Sequence, residues 1–308
     1  MRTSERTLIY AIIISSWRYS MLLGGIEAGG TKMVCALVDE RGNVVDREVI
    51  KTTTPDKTIH SMVEYFAGKG IAALGIGCFG PINLNEHSDT YGCITSTPKP
   101  GWSDVDMLTP FRLLNVPIGF DTDVNAAVLG EARFGAAKDA DSALYITIGT
   151  GIGVGVFADG KLYHGHVHPE GGHIFVNPHP LDLQREFKGN CPFHDYCLEG
   201  MASGPAIEKR WGRPATQLYD CDVVWDMEAY YIGAAIANYT MLYSPEKIVL
   251  WGGVMHKDGL LDMVKTYANK LMGGYVSLPQ ILLPKLGENP GVIGASQLGY
   301  DKLFAHHF

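Results

Sequence analysis

Nine consecutive residues, Gly24-Gly25-Ile26-Glu27-Ala28-Gly29-Gly30-Thr31-Lys32, have the composition of a phosphate-holding turn. Glycines let a backbone approach a polyanion closely, and their N–H groups can point at phosphate oxygens. Lys32 adds a positive charge. An ordinary tight hairpin has no use for four glycines in seven positions, since each costs conformational entropy on folding. The order Gly30-Thr31-Lys32 excludes a Walker A loop, which ends in Gly-Lys-Ser/Thr. The residues that follow, Met33 to Val38, read as a buried strand, not as the helix that a Rossmann fingerprint opens. The pattern returns at Gly149-Thr150-Gly151-Ile152-Gly153, again between two apolar runs.

Asp121 and Asp123 stand where a strand is expected to end and a helix to begin, the place at which sites form in open α/β sheets. Aspartate is also a good helix cap, so one of the pair is expected to cap and the other is free to act as a general base. Asp123 is assigned the base, with Asn125 and the following helix holding it. Cys191-x-x-His194-x-x-Cys197 places three metal ligands in one short loop, and His173 could complete a closed set of four, the composition of structural zinc. Two buried cysteines and a surface histidine are the alternative. Glu170, beside Gly171 and Gly172, could hydrogen-bond a sugar hydroxyl or stand in a solvated turn, and the residues favour neither. His164, His166 and His168 alternate, which would put them on one strand face as polar lining.

These residues need a scaffold. A length of 308 residues points to two domains, and 46% hydrophobic content can build cores for both. A net charge of −8 without a long basic run excludes a nucleic-acid surface. Six cysteines, scattered except for Cys191 and Cys197, are no secreted disulfide framework and fit a reducing cytoplasm. The apolar run Leu8 to Ser16 follows Arg2 and Arg6, but it is too short to span a bilayer and no small-x-small cleavage site follows. Residues 1–20 are therefore read as an extension with no role in the fold, and no membrane partner is expected.

The periodicities predict strand, glycine turn, strand, turn, strand over residues 22–52, a helix over 56–68, strands at 71–78 and 116–120, and a helix at 126–134. Strands at 143–148, 154–157 and 161–163 follow, then helices at 198–211, 225–242, 260–271 and 291–304, with a strand at 248–250. Strand, glycine turn, strand, turn, strand is thus written twice. Two similar units facing each other, a glycine turn from each lining the cleft, would suit a nucleotide triphosphate tail.

From Met21 onward the chain resembles the ROK sugar kinases (repressor, open reading frame, kinase), and among them the bacterial fructokinases. Gly24 to Lys32 matches the first phosphate motif of that family and Thr147 to Gly155 the second. Asp123 falls on the catalytic base, Glu170 and His173 on the Glu-x-Gly-His sugar element, and Gly252-Gly253 on the adenosine-side glycines. His173, Cys191, His194 and Cys197 fall on the zinc ligands. The resemblance implies an α/β fold of two actin-like, ribonuclease-H-like domains with an ATP and sugar cleft between them. The small domain would comprise residues 21–117 plus 291–308, and the large one residues 118–290.

It also implies phosphates held by Gly29, Gly30, Thr31, Lys32, Thr147, Gly149, Thr150 and Gly151, magnesium with the ATP, structural zinc, and a homodimer. Fructose would sit near Gly80, Asp123, Glu170 and His173, with Asp123 taking the proton of the attacking hydroxyl. Three departures bear on the substrate. Asp121-Thr122-Asp123 replaces the glucokinases' Glu-Asn-Asp, His194 stands inside the zinc loop, and Glu27 replaces the more usual Asp. Residues 97–102 and His168-Pro169-Glu170 look like fructokinase features. Together these favour fructose over glucose, with mannose or another hexose as the alternative. A transcriptional repressor of the family would need a helix-turn-helix domain, for which about twenty residues are too few. A non-catalytic sugar sensor would need neither Asp123 nor both glycine motifs.

Overall fold

The computed structural model describes residues 21–305, so the expectation for residues 1–20 lies outside the described part. Strands β1 (Leu22–Ala28), β2 (Lys32–Asp39) and β3 (Val44–Lys51) pair antiparallel in succession. Helix α1 (Pro55–Phe66) starts on a proline, which needs no intrahelical N–H there, and buries Ile59, Met62 and Phe66 along one face. Strands β4 (Ala73–Cys78) and β5 (Ile118–Thr122) add in parallel, giving the order β3-β2-β1-β4-β5. Helix α2 (Asp123–Phe134) leaves the end of β5.

The second half repeats the plan. Strands β6 (Ala143–Ile148), β7 (Ile152–Ala158) and β8 (Lys161–Leu162) pair antiparallel. Helices α3 (Pro180–Gln184), α4 (Leu198–Ala202), α5 (Gly204–Trp211) and the long α6 (Asp222–Tyr243) follow. Then come β9 (Lys247–Trp251), α7 (Leu260–Met272) and β10 (Gln280–Leu282), with both strands parallel to their neighbours. The order β10-β9-β6-β7-β8 is that of the first sheet read from its other edge. The duplication expected from the two glycine turns is present strand for strand. Among the described residues, no helix is long and apolar enough to cross a membrane.

The last helix, α8 (Pro290–Phe304), returns to the first sheet and packs on β1, β4 and β5. Gly25, Gly75 and Gly119 are register partners across those strands. A Cβ on any of them would strike the carbonyl oxygens of Val292, Ala295 or Leu298, so the helix lies directly on a row of glycines. Two of the four glycines in the first motif are thereby corrected from turn to packing. Gly25 receives α8, and Gly24 faces the side chains of Phe66, Ile71 and Leu74. Only Gly29 and Gly30 stand in the turn.

Other differences have local causes. The helix expected over 198–211 breaks at Ser203, whose extended backbone and hydroxyl cap α5, the Ala206 N–H donating to it at 3.4 Å. Pro205 then occupies the first turn. Strand β5 pairs with β4 in the first sheet, although it lies beyond the boundary drawn at residue 117. The alternating histidines form no strand, because β8 ends at Leu162 and Gly165 turns the chain with φ +69°.

Candidate active site

Helix α2 brings Asp123 to the cleft between the sheets. The cap is Thr122, between the two aspartates, its hydroxyl accepting the Asn125 N–H at 3.1 Å. Neither aspartate caps, contrary to expectation. Asp121 is buried, its Oδ1 accepting from the Thr122 N–H at 2.7 Å and the Asn125 side chain at 2.9 Å. Asn125 thus holds Asp121, not Asp123, and its oxygen takes the Val156 N–H at 3.1 Å, tying α2 to β7. Asp123 accepts the Val124 N–H at 2.9 Å and is otherwise open to the cleft. Burial raises its pKa to about 7, and the nearby carboxylates of Glu27 and Glu170 add to the rise. A carboxylate poised there can take a proton from an alcohol at neutral pH.

The cleft around Asp123 encloses about 210 Å³. Of the residues singled out from the sequence, it gathers Lys32, Asp123, Thr147, Gly252 and Gly253. It adds Tyr145, Trp251, His256 and Glu288, which no motif marked, and Glu27. Trp251 meets His256 edge-on, with ring centroids 5.0 Å apart. The proximity of Trp251 to the Gly252-Gly253 pair was its one available signal. Gly252 has φ +105°, and a Cβ there would strike the Ile148 carbonyl, so glycine is required at this approach to β6. Burial raises the Glu27 pKa while Lys32 and Arg47 oppose it.

The two glycine turns flank this space without lining it. In the first, the Gly29 N–H donates to the Lys32 carbonyl at 3.0 Å, and Thr52 donates from its hydroxyl to the Gly29 carbonyl at 2.9 Å. In the second, the Gly149 N–H donates to the Gly151 carbonyl at 2.9 Å, and the Gly204 N–H to the Gly149 carbonyl at 2.8 Å. Thr31 and Thr150, one in each turn, are exposed.

Gly80 opens a second wall. A Cβ on it would lie 3.5 Å from His168 Cε1 and 3.6 Å from Glu170 Oε1. Burial raises the Glu170 pKa, with Glu199 adding to it. His164 reaches Asp121 Oδ2 at 2.6 Å, a contact that raises the histidine's pKa.

His173, Cys191, His194 and Cys197 converge, with one ligand atom from each lying within 4.8 Å of the others. His173 Nδ1 is 3.8 Å from Cys191 Sγ and 3.7 Å from Cys197 Sγ, and His194 Nδ1 is 3.7 Å from Cys191 Sγ. A tetrahedron with metal–ligand bonds of about 2.0–2.3 Å has edges of about 3.5 Å, so the donor set fits a four-coordinate metal. Burial pushes the Cys197 thiol up to about 12, a cost that a dication between the sulfurs would remove. His173 Nε2 faces Glu199 Oε1 at 3.9 Å, the carboxylate–histidine pairing that orients metal ligands.

Residues 23–302 match the ROK family model. The chain is 45% identical to a fructokinase from Pediococcus pentosaceus, covering 92% of this chain and 99% of that one. It is 42% identical to a fructokinase from Streptococcus mutans, covering 91% and 96%. Among solved structures, a ROK family glucokinase from Streptomyces griseus in complex with glucose and AMPPNP superposes with a TM-score of 0.75 at 25% identity, covering 91% and 99%. The duplicated sheets and the motif order have the same explanation: this chain belongs to the ROK family of sugar kinases.

Proposed function

We propose that the chain is a fructokinase, transferring the γ-phosphoryl group of ATP to D-fructose to give fructose 6-phosphate. The observation that carries this reading is identity above 40% to proteins named fructokinase along nine-tenths of the chain. A glucokinase of the same family from Streptomyces coelicolor is 28% identical. Asp121-Thr122 in place of Glu-Asn also favours a sugar other than glucose.

Asp123 is the general base. Its carboxylate takes the proton of the hydroxyl on carbon six as that oxygen attacks the γ-phosphorus. Glu170, His173 and Gly80 form the sugar side, with Gly80 leaving room for the ring. Lys32, Thr147 and the backbone of the two glycine turns receive the phosphates, and Gly252, Gly253 and Trp251 the adenosine. Glu27, Asp123 and Glu288 put three carboxylates into a cleft that must accept a triphosphate, a composition that fits a divalent cation. Magnesium bound with the nucleotide supplies charge neutralisation there. The cysteine–histidine set would hold structural zinc. A cytoplasmic homodimer remains the expectation from family resemblance.

An ADP-release assay with Mg-ATP, run on fructose, mannose and glucose, tests the reading. The expected result is a kcat/KM for fructose at least about tenfold above the other two, the scale of one good polar contact. Equal or better turnover of glucose or mannose overturns the substrate, and no turnover of any overturns the activity.

A further inference from the structure

The segment after β8 touches the first half of the molecule at two points. His164 Nε2 lies 2.6 Å from Asp121 Oδ2, at the end of β5. Four residues on, the Ile82 N–H donates to His168 Nε2 at 3.3 Å. Ile82 follows the Gly80–Pro81 turn after β4. Cys78 and Thr122, at the ends of β4 and β5, are register partners, so one anchor lies in β5 and the other in the turn that follows its neighbour β4. Because Nε2 accepts, the neutral His168 ring carries its proton on Nδ1, which lies 3.4 Å from Glu170 Oε1. The His168 side chain is 3% exposed and that of Glu170 49%. A packed imidazole therefore backs a carboxylate that faces open space beside Gly80.

We propose that His164 and His168 are positioning residues of the sugar subsite. They clasp residues 163–170 onto the ends of β5 and β4, and His168 aims the Glu170 carboxylate at the bound hexose. The inference rests on the fructokinase reading above. Glu170 is followed by Gly171 and Gly172, so without the clasp its backbone would have to be ordered at the moment of binding. Fixing it beforehand removes that entropic cost from the sugar's affinity. The buried aspartate gives the His164 anchor a charge-assisted bond. Burial lowers the pKa of His168, which keeps the ring neutral and its Nε2 lone pair available to Ile82. None of residues 163–170 lines the cleft of Lys32, Thr147 and Trp251. The effect is therefore confined to the sugar side.

Steady-state kinetics on the full-length, metal-loaded enzyme tests this, varying fructose at saturating Mg-ATP and then ATP at saturating fructose. His168→Leu removes the Ile82 hydrogen bond and the Glu170 contact. Its fructose KM is expected to rise about tenfold or more, with the ATP KM within about twofold and the zinc content unchanged. His168→Gln can return an acceptor to Ile82, and His168→Asn a donor to Glu170, so each should recover part of the loss. His164→Leu should raise the fructose KM by a smaller factor, because it leaves the His168–Glu170 contact in place.

A His168→Leu enzyme with wild-type fructose KM overturns the proposal, as does a parallel rise in both KM values, which marks general loss of structure. If His168→Leu does not fold, the Gln and Asn variants decide: wild-type fructose KM in both overturns it, and a raised value in both supports it. Wild-type enzyme that prefers mannose or glucose overturns the substrate reading alone, and the same comparison with that hexose then decides the clasp.

Discussion

His173 and Glu199 face each other at 3.9 Å, Nε2 to Oε1, while the other oxygen of Glu199 accepts the Ile152 N–H at 2.9 Å. One side chain thereby joins the cysteine–histidine cluster to the second glycine turn. The fit is close, since a Cβ on Gly151 would come within 2.8 Å of the same carboxylate oxygen. The cysteine–histidine loop and the second glycine turn are mechanically one piece.

Glu199→Ala should therefore weaken nucleotide binding. Losing a hydrogen bond to a charged group costs about 1.5–3 kcal/mol, so an ATP KM about tenfold or more above wild type is expected. Glu199→Gln keeps an acceptor and should stay within about threefold. Titration of ATP at fixed fructose measures both, and an unchanged ATP KM in the alanine variant would show that the turn holds without this contact.

If the cysteine–histidine set holds zinc as proposed, its removal should act on the proposed sugar side. Cys197 caps α4, and His173 is three residues from Glu170. Chelation is expected to lower the melting temperature by about 5 °C or more and to raise the fructose KM, with zinc restoring both. A chelated, metal-free protein with unchanged melting temperature and fructose KM would remove zinc from the account of the fold.

Asp123→Asn keeps the oxygen that accepts the Val124 N–H and leaves the Thr122 cap intact, so it should fold. Its kcat should fall by about 10²–10⁴ with zinc content unchanged. In wild type, kcat/KM should rise with pH through about 7 as Asp123 loses its proton, and that limb should vanish in the variant. The sign for stability is opposite. The folded protein binds this proton more tightly than the unfolded chain, so the contribution is complete below the ordinary aspartate value of 3.8 and is lost as pH rises through about 7. The variant should gain on wild type across that interval, as read by denaturant melts at pH 5 and pH 8.

The glycine row makes a prediction about packing. Gly75→Ala drives a methyl into the Ala295 carbonyl and should cost about 3 kcal/mol or more. Gly30→Ala meets nothing within 4 Å and should change stability by about 0.5 kcal/mol or less. Chemical denaturation separates the two, and a Gly75→Ala protein as stable as wild type would mean that α8 shifts freely.

Much of this was legible because local pattern and global fold agree. The repeated glycine turns announced the duplication, and the Cys191–Cys197 spacing announced the cluster. Where residues serve distant partners, the reading failed. Gly24 packs against Phe66, Ile71 and Leu74, and Gly25 against the Val292 carbonyl far along the chain, and nothing nearby says so. The Asp121–Asp123 pair offered two good caps, and the threonine between them took the role. His168 meets Ile82 across 86 residues, so its alternation with His164 looked like a strand. Strand β10 has three residues, too few for a period to register.

Helix α8, which begins at Pro290, covers strands that begin at Leu22, Ala73 and Ile118. During synthesis the first sheet is therefore complete in its strands but bare along its glycine row. It stays so until residues Pro290–Phe304 leave the ribosome. The half of the molecule made first is the half finished last.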